Sequence, residues 1–526
     1  MSEFVGGPQA WVGAWSEKRA TLSPERVGLV DTTTGKRFTY AELDRRANRA
    51  AKLLDAHGVA DGGRVAVIAR NRPEVVDCFF ATGKTGGVLA PLSHRLAPPE
   101  LAELLERVDP ELLVFEDRFH DGVRTALDEN ADLNPTELGL ESAESDGNSP
   151  DSTDNDVATY SESLPADDSS VDTAAVSTED PHLLLHTGGS TGTPKETVIS
   201  HRAIVWNSLN TIASWGLRDD DVTPLTFPMF HTGGWNVVTV PLWHMGGTVA
   251  IAREFDADAL LGTIEGEGAT VLVAVPAVLR MLTEHDDWAE TPLSTLRVVK
   301  SGGGPCREPV MQAWWDRDVD LSQGYGLTEC GPNNFAMPDG WPREKADSVG
   351  VPAMHVDARV VDDGTEIERG AVGELELRSP HAASEYLDNA AESEATFGDG
   401  WVSTGDLARV DEDGYYYIVG RKKELFVSGG ENVYPSEVEA AITAHPDISE
   451  AVVIPVPDDQ WGQVGKAVVG GDESLTLEAL QELLDGRLAR YKHPRHLAFV
   501  DAMPTSGPEK IDREAVRARF GEDGDG

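Results

Sequence analysis

The chain has 526 residues, enough for more than one domain and a sizeable buried core. Its 91 acidic against 44 basic residues give a net charge of −47, which disfavours nucleic acid and anionic membranes and fits solubility in a salt-rich cytoplasm, as in a halophile. The dispersed Cys78, Cys306 and Cys330 form neither a metal pattern nor a disulfide framework, no 18-residue apolar run exists, and the first residues lack a basic-then-apolar leader, so a reducing cytoplasm is expected.

Thr39 and Glu42 predict a capping box opening a helix with Leu43, Ala47, Ala50 and Leu54 on one face. A strand is predicted at 65–69, a helix at 74–82, a strand at 88–92, a helix near 100–107 and a strand at 112–115. This alternation predicts α/β layers on largely parallel sheets. From about 128 to 180 the chain is mostly Ser, Asp, Glu, Thr and Ala, and no Lys or Arg falls between Arg124 and Lys195. Such a stretch buries too little apolar surface to offset its ordering, so a disordered acidic insertion is expected.

Leu183, Leu184 and Leu185 then lead into HTGGSTGTPK, residues 186–195. The small residues Thr187, Gly188, Gly189, Ser190, Thr191 and Gly192 fit either a solvated surface loop or a nest of N–H groups and hydroxyls around an anion, with Lys195 adding a positive charge. The spacing of a Walker A loop is absent. Downstream, TFPMFHTGGW spans 226–235, and a strand at 296–300 ends in Ser301, Gly302, Gly303, Gly304. Three glycines after a strand let a flat ligand approach the backbone. QGYGLTE follows at 323–329. There Tyr325 can stack on an adenine, Thr328 offers a hydroxyl to phosphate, and Glu329 is a hard oxygen ligand suited to Mg²⁺. In WVSTGD, Asp406 can cap its own turn or accept two ribose hydroxyls. Near residue 421 the pattern shifts to a small α+β unit with helices at 436–443 and 477–488 and strands at 451–456 and 497–500.

As a set these motifs resemble the AMP-forming acyl-activating enzymes, whose usual phosphate loop is TSGTTG-x-PKG. Gly188 stands here for the usual Ser, and Glu196 for the usual Gly. The resemblance implies an α/β fold with a large N-terminal domain, 1–420, of mostly parallel sheets plus a small β-barrel-like part, and a smaller mobile α+β domain, 421–526. It implies ATP and AMP binding by the phosphate loop, Lys195, Gly302–Gly304, Gln323, Gly324, Tyr325, Gly326, Thr328, Asp406 and Arg421. His231, with Gly234 and Trp235 beside it, would border the acyl pocket. Lys423 would be the hinge. Ser428, Gly429, Gly430 and Glu431 would face coenzyme A. Lys510, preceded by Glu509 where Gly is usual, would reach the acyl carboxylate. Thr328, Glu329, His231 and Lys510 thus become the expected catalytic set.

The implied reaction joins a fatty or aryl acid to AMP, with ATP and Mg²⁺, and then to CoA. The implied partners are small molecules only, in a monomer or homodimer. A carrier-protein acceptor and a succinylbenzoate-type substrate are the alternatives, the latter disfavoured by the lack of a basic residue placed for a second carboxylate.

Overall fold

The computed structural model describes residues 12–130, 132–141, 157–187, 195–445, 448, 450–458, 460–470, 475–505 and 511–521. Local signals set the first layer. Thr39 caps the helix Tyr40–Ala56 in a complete box with Glu42, and Leu43, Ala47, Ala50 and Leu54 are buried. That helix packs on Pro73–Thr85 over a sheet of eight strands. In order across the sheet these are Glu385–Tyr386, Lys195–Ser200, Pro181–Thr187, Val88–Leu92, Arg64–Ile68, Leu112–Glu116, Thr136–Leu140 and Ala158–Thr159. Pairing is parallel from Pro181–Thr187 to the far edge. It turns antiparallel at Lys195–Ser200 because the chain doubles back there.

Two smaller sheets complete the α/β part. Val222–Pro224, Thr248–Ile251, Val27–Asp31 and Lys36–Thr39 form one. Val271–Ala274, Val298–Ser301 and Leu321–Gln323 form a fully parallel one. The expected barrel-like part is instead an open antiparallel sheet of five strands, including Gly373–Arg378, Val402–Val410 and Tyr416–Arg421, with no closed barrel among the described residues. After Arg421 the strands enter a separate sheet built on Gly462–Gly470 and Glu450–Asp458, covered by Pro435–Thr443 and Leu477–Leu484.

The expected disorder at 128–180 needs correction. Thr136–Leu140 is a sheet strand with Leu138 and Leu140 in the core, and Tyr160 is 1% exposed. Leu164 and Val171 pack against the same core. The cations this stretch lacks come from the helix Tyr40–Ala56: Arg49 Nε donates to Pro165 O at 2.6 Å and Lys52 Nζ to Ser169 Oγ at 2.9 Å. A few apolar anchors and borrowed charge therefore order an acidic strap. Residues 142–156 of the expected insertion lie outside the described residues.

Candidate active site

The site gathers where the parallel strands end, as expected for ligands of α/β sheets. Past Val298–Ser301, a Cβ at Gly302 or Gly304 would meet nothing within 4 Å, and Gly303 has φ +85°, which favours glycine. The result is an open backbone ledge. Gln323 braces it: Oε1 accepts from Cys306 N at 3.0 Å and Nε2 donates to Ala346 O at 2.8 Å. Both ends of this amide are thus taken by the protein. Gly326 likewise has a packing cause, since a Cβ there would lie 1.9 Å from Pro332 O. At Gly324 it would stand 3.3 Å from Ser301 O.

Beside the ledge three motifs meet. Asp406 and Arg421 are cross-strand neighbours on Val402–Val410 and Tyr416–Arg421. Arg421 Nε sits 2.6 Å from Asp406 Oδ1, and the Tyr325 hydroxyl donates to Asp406 Oδ2 at 2.5 Å. Burial raises the Asp406 pKa above the usual carboxylate range, against the pull of Arg421; the nearby Glu329 charge adds to the rise. Each carboxylate oxygen keeps a lone pair for a ribose hydroxyl. The Tyr325 ring stands edge-on to Phe335 at 5.7 Å.

Glu329 lies on the turn Thr328–Cys330, with Thr328 buried. Its Oε1 accepts from the Tyr386 hydroxyl at 2.9 Å, and its backbone oxygen accepts from Ala383 N at 2.9 Å. A half-buried carboxylate next to a hydroxyl is the hard-oxygen set that suits Mg²⁺, which keeps several waters. Lys195 Nζ lies 2.5 Å from Glu392 Oε2 and 5.1 Å from the centroid of the Tyr386 ring. Glu196, next in the strand, points to the opposite face. There it is 1% exposed and pairs with Arg107 at 2.8 Å, so its charge is not on the side of Lys195. Thr187 closes the preceding strand with Oγ1 3.4 Å from Lys195 O. Gly188, Gly189, Ser190, Thr191 and Gly192 lie outside the described residues, as does Lys510.

The expected acyl pocket is only partly where the motif put it. His231 is exposed, and its Nδ1 accepts from Gly233 N at 3.1 Å. Gly234 and Trp235 belong to a buried π-helical turn, Gly233–Val237. A Cβ on Gly234 would lie 2.3 Å from Pro228 O. Trp235 is fully buried, stacks on Phe79 at 4.7 Å and donates to Met229 O at 2.5 Å. Both residues are therefore packed into the core among the described residues. The face beside His231 is instead Phe230, ringed by His94 at 5.4 Å, His186 at 6.0 Å and the Arg95 guanidinium at 5.4 Å. Burial pushes the pKa values of His94 and His186 down to about 4, so both are neutral at pH 7. No sequence signal marked them; the only cue was that His186 adjoins the glycine loop. Tyr386 and Glu392 were missed as well.

In the C-terminal sheet, Lys423 is exposed on the single turn Lys422–Glu424. Phe426–Ser428 and Glu431–Val433 form a hairpin whose two turn residues, Gly429 and Gly430, have φ +60° and +90°. That is the two-glycine turn of a tight hairpin. A Cβ on Gly429 would lie 2.4 Å from the Trp461 ring, so the turn is fitted to that indole. Ser428 is buried and Glu431 exposed at its two ends. The contact between lobes includes Arg307 Nη2 donating to Thr443 O.

Residues 16–387 match the model of the AMP-binding enzyme family, and 437–510 match that of the AMP-binding enzyme C-terminal domain. The feruloyl-CoA synthase of Amycolatopsis sp is 34% identical over 97% of this chain and 99% of its own length. The indoleacetate–CoA ligase of Aromatoleum aromaticum is 35% identical over 96% and 97%. The ATP-bound crystal structure of MatB from Rhodopseudomonas palustris overlays with a TM-score of 0.87 at 29% identity, covering 98% of this chain and 99% of that one. A ledge of glycines, a tyrosine and an arginine sharing one aspartate, and a glutamate within reach of that aspartate accordingly have a common cause: the chain belongs to the AMP-binding enzyme family.

Proposed function

We propose that the chain is an AMP-forming carboxylate–CoA ligase that activates a fatty or aromatic acid. The observation that carries this reading is the meeting of Tyr325, Asp406 and Arg421, drawn from three distant motifs, beside the glycine ledge and Glu329. Adenine would lie along Gly302–Gly304 and Tyr325, and the ribose on Asp406. Glu329 and Thr328 would hold Mg²⁺, which supplies positive charge at the phosphates.

The acid is ionised at pH 7, so attack on the α-phosphorus requires no general base. The chain must instead bring two anions together and stabilise the charge that develops on phosphorus. Lys195 and Lys510 supply ammonium groups for this, and the backbone N–H groups of residues 188–192 are assigned the same task. Pyrophosphate leaves and acyl-AMP remains. The CoA thiol then attacks the acyl carbonyl and AMP departs. Between the two steps the domain from about 421 onward pivots at Lys423, withdrawing Lys510 and presenting the hairpin at Ser428–Glu431. The aromatic and imidazole face around Phe230 supports an acid with an aromatic ring.

A pyrophosphate-release assay at high salt, with ferulate, indole-3-acetate and fatty acids of graded length, tests the reading. Release with one acid class, followed by CoA-dependent AMP release, is expected. Exchange of ATP and pyrophosphate without any CoA-dependent step would replace CoA with a carrier protein. No release with any carboxylic acid would end the proposal.

A further inference from the structure

Two charged groups assigned above to phosphate and metal, Lys195 and Glu329, are held by one short segment to which no role has yet been given. The strand Glu385–Tyr386 adds to the sheet edge, with Tyr386 opposite Thr197, and the helix Ala390–Phe397 follows. Tyr386 is 6% exposed, and its ring leans on Phe397 at 5.3 Å. Its N–H donates to Ser393 Oγ at 2.9 Å, which ties the strand to the helix.

From this fixed place the Tyr386 hydroxyl donates to Glu329 Oε1 at 2.9 Å, while Ala383 N holds the same residue's backbone oxygen at 2.9 Å. Glu329 is thus gripped at both ends by residues 383–386. The Tyr386 ring lies 5.1 Å from Lys195 Nζ, and Glu392 Oε2 lies 2.5 Å from that ammonium.

We infer that Tyr386 is a positioning residue: its hydroxyl fixes one oxygen of Glu329 so that the other faces the divalent cation that arrives with the nucleotide. Its ring, with Glu392, keeps the Lys195 ammonium on the phosphate side. This rests on the reading of Glu329 as the metal ligand given above. An unheld carboxylate must lose rotational freedom on binding a cation; one already hydrogen-bonded has lost it in folding. Outer partners of metal ligands of this kind are typically worth ~10–100-fold in metal affinity or activity.

The test is Mn²⁺ binding, followed by electron paramagnetic resonance with α,β-methylene-ATP present, so that no turnover is needed. Tyr386→Phe keeps the ring and its packing and removes only the hydroxyl. Half-saturation is expected to need about tenfold more Mn²⁺, with the thermal midpoint and the KM of the acid unchanged. In a Glu329→Gln background the same substitution should change Mn²⁺ binding no further, because the hydroxyl acts through that carboxylate. Equal losses in both backgrounds would overturn the positioning role. So would normal Mn²⁺ binding by Tyr386→Phe when Glu329→Gln alone weakens it. Normal Mn²⁺ binding by Glu329→Gln would instead overturn the metal role of Glu329 beneath it.

Discussion

The corner proposed for the nucleotide and the corner proposed for the acyl group hold charge in different ways. At the first, among the described residues, Asp406 is paired with Arg421 and Tyr325, Glu329 with Tyr386 and Lys195 with Glu392. At the second, burial leaves His94 and His186 as neutral rings around Phe230, with the exposed Arg95 guanidinium 5.4 Å from that ring at their edge. A polyphosphate needs fixed charges, and fixed charges in a cleft need partners. An acyl chain is better served by uncharged rings, and burial keeps these two imidazoles neutral.

The largest effect should come from Lys510→Ala, which removes a charge-stabilising group from the first half-reaction. Adenylate formation should fall by about 10² or more, while thioester formation from supplied acyl-AMP is spared. Quenched-flow measurement of the two halves separates them, and equal loss in both would break the assignment. Next comes Asp406→Ala, which strips Tyr325 and Arg421 of their shared acceptor. Loss of two charge-assisted hydrogen bonds of about 1.5–3 kcal/mol each predicts a drop of roughly 10²–10⁴ in kcat/KM for ATP. The KM of the acid should hold. A matching loss for the acid would mean that the two corners are one.

His186→Leu tests the other side with a smaller effect. It removes a neutral ring against Phe230 and should raise the KM of the acid by about tenfold, the scale of reshaping an apolar pocket. The KM of ATP should stay within about twofold, as a change confined to that pocket leaves the nucleotide contacts alone. Since His186 directly precedes Thr187, a shift in the ATP KM alone would move it to the nucleotide corner.

The contrast between corners also governs what could be read from sequence. Residue types and spacings that recur singled out Tyr325, Glu329, Asp406 and Arg421, and the structure brings them together; the capping box of Thr39 and Glu42 was legible because it is local. The packing of Trp235 was not legible, because a tryptophan beside a motif gives no sign in sequence of its stack on Phe79, far away in the chain. The acidic strap was misread because its order depends on Arg49 and Lys52, cations on an element more than a hundred residues away. Tyr386 left no trace because its bond to Glu329 spans 57 positions without a spacing rule.

Neutral histidines are not confined to the acyl corner, which allows a control. His182 and His201 are fully buried, their rings 4.7 Å apart, and none of their four ring nitrogens has a partner among the described residues. Burial holds the His201 pKa down to about 4, and that of His182 well below its ordinary 6.5. Below pH 6.5 the unfolded chain therefore binds protons that the folded chain refuses, so stability falls as pH drops from 6.5 toward 4. For His201 alone the loss between pH 7 and pH 5 is about 2 kcal/mol. His201→Phe, which keeps a ring in the cavity, should reduce the acid-induced loss of unfolding free energy, read from urea titrations, by about 2 kcal/mol and leave the KM of the acid unchanged. His186→Leu should also lessen the acid loss of stability, but with the change in acid KM described above. If His201→Phe altered the KM as well, neutrality at the acyl corner would be a property of the whole sheet and the distinction between the corners would fail.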